Sequence, residues 1–401
     1  MDILKYQNTE LSSTFKPLGI STHSGINAHF SKNADDFVVR ELPLYAPSKK
    51  GEHMMIHAQK KGLSTKEMLS AFSAFTGAKM RDIGYAGLKD KEGLTSQYIT
   101  IPAKFCGSLS TFSHQNIKIL SSALHANKLR VGHLRGNAFF IRLKKVSKTD
   151  ALKLEQALAN TLKNGVPNYF GYQRFGKFKD NAKSGSQLLS ALKEGKKPRF
   201  NPKMSNFLIS AFQSELFNRW LSLRVELSHY CASFSAGELR DIFASFGLNE
   251  SAQFFKELKA QEQFFKLVKG DALGHYPRGA VFGCDELEAE LKAFGEHKKT
   301  VQGPLFGKKM FGAFGVAGAI ENIIISPFSD TLGLMNGSRR PAIIWADNLS
   351  CKYDEQNAHF SLIFELVKGA YATNFLREVL GRDNIFNFFE HMFKHFVDNK
   401  K

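Results

Sequence analysis

Asp90 lies in the stretch GLKDKEGLTSQYITIP, between Lys89 and Lys91, with Gly87 before it and Gly93 after it. A carboxylate between two ammonium groups can be held ionised and used as a nucleophile. The β-rich run SQYITI that follows would hold it rigidly, and the glycines would let a substrate approach. The same pattern also suits an ordinary charged hairpin tip.

Other residues have the types needed to hold a flat, polar ring. Asn137 and Phe139, in RGNAFFIRL, are two apart and would face the same side of a strand. Asn can read a base edge and Phe can stack on one; the plainer reading is a turn Asn entering a core strand. NYFGYQRFG joins Asn168 and Arg174 to Tyr169, Phe170, Gln173 and Phe175. Aromatics interleaved with Arg suit a single-stranded or flipped nucleotide, or an aromatic packing turn. Phe37 in DDFVV and Tyr371 in KGAYATN could sandwich an aromatic ring, although an isolated Phe such as Phe37 belongs more often to the core.

Other chemistries are poorly served. His53 and His57 have metal-like spacing, but their run reads as a strand and no HExxH is present. GPLFGKKM lacks the spacing and the Ser or Thr of a phosphate-binding loop, and GAFGVAG lacks dinucleotide spacing. The four cysteines are far apart with no CxxC, which fits a reducing compartment and neither zinc nor a disulfide framework. The N-terminal stretch does not read as a signal peptide, and no run is long and apolar enough to span a membrane.

The elements that must position these groups fall into three parts. DDFVVREL, GEHMMIHAQK and SQYITI read as strands, and residues 64–75 as a Ser/Thr-capped helix. Residues 129–145 read as strand, turn, strand. The pattern changes near Gly165. A loop-like aromatic segment precedes a helix expected to be capped by Ser205, with Leu208, Phe212, Leu216 and Trp220 in one stripe. Helices are expected at 236–246 and 252–267, and an irregular Gly-rich region at 303–338. HFSLIFELV then alternates as a half-buried strand. KGAYATNFLREVLG predicts a helix capped by Thr373 and stopped by Gly381, with a Phe-rich terminal helix beyond it. Mixed ends around a helical middle predict an α+β domain interrupted by an insertion.

The bulk charge points to a partner. Lys and Arg number 55 against 37 Asp and Glu, a net charge of +18. Such an excess suits a polyanion, most often nucleic acid, although a basic proteome or simple solubility also gives it. There are 37 Phe against 2 Trp. Most must be core, but a few in basic stretches could stack on bases.

These segments together resemble the TruD family of tRNA pseudouridine synthases. GLKDKEGLTSQYIT resembles the family's catalytic motif. DDFVVRELPLYAPSKKGEH, RGNAFF, PNYFGYQRFG and KGAYATNFLREV resemble further family segments, in the family's order, from about residue 35 to 380. The resemblance implies an α+β fold: a catalytic domain with a mixed, largely antiparallel sheet, interrupted by a family-specific α/β insertion domain. The bounds expected are 1–164 and 341–401 for the catalytic domain and 165–340 for the insertion. By resemblance Asp90 is the nucleophile, and Phe37 and Asn137 line the uridine site. Phe139 shares the Asn-x-Phe motif, and Tyr371 falls where many members carry phenylalanine. Some members carry a lysine six residues before the Phe37 position. Ser31 stands there in this chain, and Lys32, one step later, and Lys89 are the candidates for a basic partner.

The implied reaction isomerises uridine to pseudouridine at position thirteen in the D-arm of tRNA, notably that for glutamate, with the base flipped out. It implies no metal or other cofactor, tRNA as partner, and a monomeric, cytoplasmic protein. Two rival readings use the same residues. An RNA-binding protein without activity gives Asp90 no task, and a glycoside hydrolase needs a second acid at defined separation, for which only Glu92 is near.

Overall fold

The computed structural model describes residues 4–9, 16–30, 34–171, 174–176 and 178–381. Its chain forms two compact units. One comprises residues 24–158 and 346–372, and the other 1–23, 159–345 and 373–381. The divisions fall six residues before the expected 164/165 bound and a few residues beyond 340/341. Residues 1–23 and 373–381 cluster with the middle of the chain. Their anchors are specific: the Ser21 amide donates to the Glu378 carboxylate, and the Tyr169 hydroxyl donates to the Leu18 carbonyl.

The first unit is built on a nine-stranded sheet. Its main path runs Asp347–Asp354, His359–Val367, Leu134–Lys144, Phe37–Pro43, Leu94–Pro102, His53–Lys61, Ile117–His125. Only the Phe37 and Leu94 strands pair in parallel; the other neighbours on this path are antiparallel. The sheet is therefore mixed and largely antiparallel. Paired residues face the same side. Lys60 is opposite Thr95, Thr95 opposite Val39, Val39 opposite Phe139, and Phe139 opposite Phe364. All five are buried. The helix Thr65–Thr76 supplies Met68, Leu69 and Phe72 to a core with Ile56, Ala58, Ile99 and Ile101 of the same face. Ser64 and Glu67 cap it reciprocally, satisfying the orphan amides of its first turn.

The other unit surrounds the 32-residue helix Pro202–Ser233, roughly 48 Å long at 1.5 Å per residue. Residues 211–225 of it are buried on every side. Several of its buried polar groups reach across the unit: Arg224 grips Asp271 through two hydrogen bonds of 2.5 and 2.9 Å, and Gln213 donates to the carbonyls of Phe306 and Asn336. A four-stranded sheet in the order Val281–Gly283, Ala272–His275, Lys299–Leu305, Ser338–Pro341 packs in the same unit.

Several local expectations are corrected. The long helix starts earlier, capped by Asn201, whose side chain accepts from the Met204 amide; Ser205 lies inside it. The helix from Ala252 stops at Ala260, because Gln261 turns its side chain onto both backbone groups of Leu267. Residues 129–133 are not a strand, and Leu134–Lys144 is a single one. The Gly-rich region holds the helix Gly315–Ile325, where burial of Ile320, Ile323 and Ile324 outweighs the glycine cost. Thr373 lies within the helix Ala372–Leu380, which Gly381 does end, at φ 59°. The expected terminal helix lies outside the described residues.

Candidate active site

In the Asp90 turn, the backbone is held from below and the carboxylate stands on the exposed side. Lys60, 1% exposed, sends its ammonium into the turn. Its Nζ donates to the Asp90 carbonyl at 2.6 Å and the Leu63 carbonyl at 2.6 Å, with a longer contact of 3.5 Å to the Lys89 carbonyl. Burial pulls Lys60 down to about 8, against the nearby Asp90 carboxylate, which pulls it up; the Lys89 charge pushes it down further.

Lys89 meets a buried acid. Its Nζ makes a buried ion pair of 2.6 Å with Glu41, whose other oxygen accepts from the Tyr98 amide at 3.0 Å. The ammonium of Lys89, one of the two expected basic partners of Asp90, is thus held by the buried Glu41 carboxylate. The Lys89 amide donates to Thr65 Oγ1, Thr65 Oγ1 donates to Gln97 Oε1, and Gln97 Nε2 donates to the Gly87 carbonyl. The turn is thus fixed at Gly87, Lys89 and Asp90 by side chains from three strands and a helix start. Such preorganisation is what a nucleophile requires.

Phe37, Asn137 and Phe139 share the sheet face of Lys60. Phe37 opens its strand half-buried, edge-on to Phe30 at 5.6 Å. Gly93 lies against it: a Cβ there would sit 2.9 Å from the ring. Asn137 pairs with Glu41 and Leu366, and its Oδ1 is buried without a hydrogen-bond partner among the described residues. Phe139 is buried and stacks on Phe364 at 5.2 Å, as a core residue does. Tyr371 is half-buried in the loop after the His359 strand. That loop and the Asp90 loop are tied through one turn: Gly132 donates to the Ala86 carbonyl, and Lys368 Nζ donates to the Gly132 carbonyl.

Asn168 and Arg174 belong to the other unit. Asn168 is buried; its amide group donates to the Pro341 carbonyl and its Oδ1 accepts from Arg340 at 2.7 Å. Arg174 donates to Ser214 Oγ at 3.0 Å and lies over the rings of Phe170 and Phe207. These bonds tie Asn168 to the Ser338–Pro341 strand and Arg174 to the long helix. Lys32 lies outside the described residues.

Sequence reasoning missed Lys60, Glu41 and Gln97, yet a signal for them was present. In HMMIHAQKK the inward positions are Met54, Ile56, Ala58 and Lys60; in FVVREL they are Phe37, Val39 and Glu41. A polar residue at the inward phase of an apolar alternation must be satisfied, and is a candidate positioning group. His53 and His57 lie on a strand, and no group of three His, Cys, Asp or Glu residues placed to hold a metal occurs among the described residues. Among those residues no helix is long and apolar enough to cross a membrane.

A sequence profile of the family tRNA pseudouridine synthase D (TruD) matches residues 18–195. A tRNA pseudouridine synthase D of Campylobacter jejuni is 53% identical over 375 residues, covering 93% of this chain and 98% of the relative. That of Helicobacter hepaticus is 43% identical, covering 90% and 95%, respectively. A solved structure from Methanosarcina mazei, described as a tRNA pseudouridine synthase D, shares the fold at a TM-score of 0.64 and 18% identity, covering 92% of this chain and 97% of its own. With more than half its residues identical over nearly the full length of such a relative, the chain belongs to the TruD family of tRNA pseudouridine synthases.

Proposed function

We propose that this protein isomerises a uridine of tRNA to pseudouridine at position thirteen of the D-arm, with tRNA for glutamate as a substrate and Asp90 as nucleophile. The observation that carries the reading is the Asp90 turn: every anchor described above grips its backbone or Lys89, and the carboxylate is presented at the surface. The unit of the nine-stranded sheet is the catalytic domain, and the helical unit is the family's insertion.

In the proposed sequence an Asp90 oxygen bonds to C1′ as the N1–C1′ bond breaks, and the uracil leaves carrying the electron pair. The base turns, C5 bonds to C1′ as the bond to Asp90 breaks, and the C5 proton leaves while N1 gains one. Atoms and electrons balance without an oxidant or a second substrate, so no cofactor is required. Phe37 and Tyr371 would hold the detached ring by stacking, and the unpartnered Asn137 Oδ1 would accept its N3–H. Flipping the base costs a few kcal/mol, which phosphate contacts of the +18 chain would offset. The protein acts as a cytoplasmic monomer in this reading.

The test is pseudouridine mapping on unmodified bulk tRNA with wild type and Asp90→Asn. Product at a single D-arm uridine from wild type alone, with tRNA binding kept in the variant, is expected. Product from both would remove Asp90 from the mechanism.

A further inference from the structure

The helical unit carries a surface that the Asp90 chemistry does not use. Residues 174–207 hold nine Lys and Arg against two acids, a net +7 of the chain's +18. The helix Asn181–Lys193 packs on the long helix so closely that a Cβ on Gly185 would sit 2.2 Å from the Leu208 carbonyl oxygen. The connection between them, residues 194–201, is exposed throughout. Lys183, Lys193, Lys196, Lys197, Arg199 and Lys203 are all exposed there.

Large apolar side chains stand among these cations. Phe178 is 75% exposed, Phe200 45% and Phe207 36%. Met204, partly exposed, and Phe207 lie three apart on one helix face. The Arg174 guanidinium is 5.7 Å from the Phe207 ring. A solvated charged face needs no phenylalanines, and a protein docking patch would not be this basic. Cations that track phosphates, interleaved with aromatic faces for unpaired bases, are the composition of a nucleic-acid surface.

We infer that this helical hairpin is a docking surface for folded tRNA, with Lys197, Arg199 and Lys203 on phosphates and Phe178 and Phe200 against unpaired bases. The inference rests on the reading that tRNA is the substrate, and gives the insertion the task of binding it.

The test compares wild type, Lys197→Gln/Arg199→Gln/Lys203→Gln, and Phe178→Ala/Phe200→Ala, each checked for an unchanged thermal midpoint. Dissociation constants for unmodified tRNA are measured across a salt series. The basic variant should bind about tenfold or more weakly and lose about two to three from the slope of log K against log salt. The aromatic variant should bind about tenfold more weakly with the slope unchanged. Both should raise KM and leave kcat within twofold. Wild-type affinity and slope in both folded variants would overturn the surface, as would loss of binding to anionic phosphatidylglycerol vesicles with tRNA binding intact. If wild type makes no pseudouridine but the variants still lose tRNA affinity, the proposed reaction fails and the docking surface stands.

Discussion

The ammonium of Lys60 lies 2.6 Å from the main-chain oxygen of Asp90, across 30 residues of sequence. The contact is to the backbone. Lys60 therefore fixes where the Asp90 side chain starts.

Lys60→Met should loosen that turn. The Leu63 and Asp90 carbonyls lose their donor, and kcat should drop about a hundredfold, in line with misplacement of a reacting group. KM for tRNA should change less than threefold, because Lys60 is buried beneath the turn. Steady-state kinetics would refute the positioning role if KM rose and kcat held.

The same lysine makes a pH prediction. Its ordinary value is 10.5 and the fold holds it at about 8. Between these values the unfolded chain binds more protons than the folded one, so stability rises with pH. The cost of burying the charge is fully present below about 8 and is relieved as pH climbs to 10.5. Wild type should gain about 3 kcal/mol relative to Lys60→Met over that window. Urea unfolding of both proteins at pH 7 and pH 10 should show most of this gain; a constant difference would contradict it.

Glu41→Gln removes one partner of a buried ion pair and strands the Lys89 ammonium. The expected loss is about 3–5 kcal/mol. Adding Lys89→Met should recover part of it, since the uncompensated charge is then gone. A double variant less stable than Glu41→Gln alone, measured by urea midpoint, would show that Lys89 is held by something other than Glu41.

Gly93→Ala should act on Phe37. The new methyl would approach the ring at 2.9 Å and the Phe37 carbonyl oxygen at 3.0 Å. Ring or loop must shift, at about 1–3 kcal/mol. Pseudouridine formation should fall at the same time, because the ring proposed to stack on uracil is displaced. Full activity with reduced stability would separate Phe37 from the substrate.

Gly303→Ala probes the other unit. A Cβ there would stand 2.3 Å from Trp220 Cζ3 and 2.6 Å from Phe217 Cε2, both rings buried under the sheet. Both rings lie in the buried core, and about 3 kcal/mol should be lost. Both tryptophans, Trp220 and Trp345, belong to this unit, so fluorescence-monitored unfolding reports on it directly.

From the amino-acid sequence alone one can read most of the sheet strands, the Ser64 helix, the Gly381 stop and the Asp90 motif, because each is local. Alternation, caps and turn residues act within a few positions. The pairing of Glu41 with Lys89 and the reach of Lys60 to Asp90 join segments separated by 48 and 30 residues. Sheet register alone brings them together, so the basic residue beside Asp90 could be named only once the strands were aligned. The same holds for Asn168 and Arg174. Their types suit RNA, and only the folded chain brings them to Arg340 and Ser214. Composition decides what a side chain can do, and the long-range contacts of the folded chain decide which of those things it does.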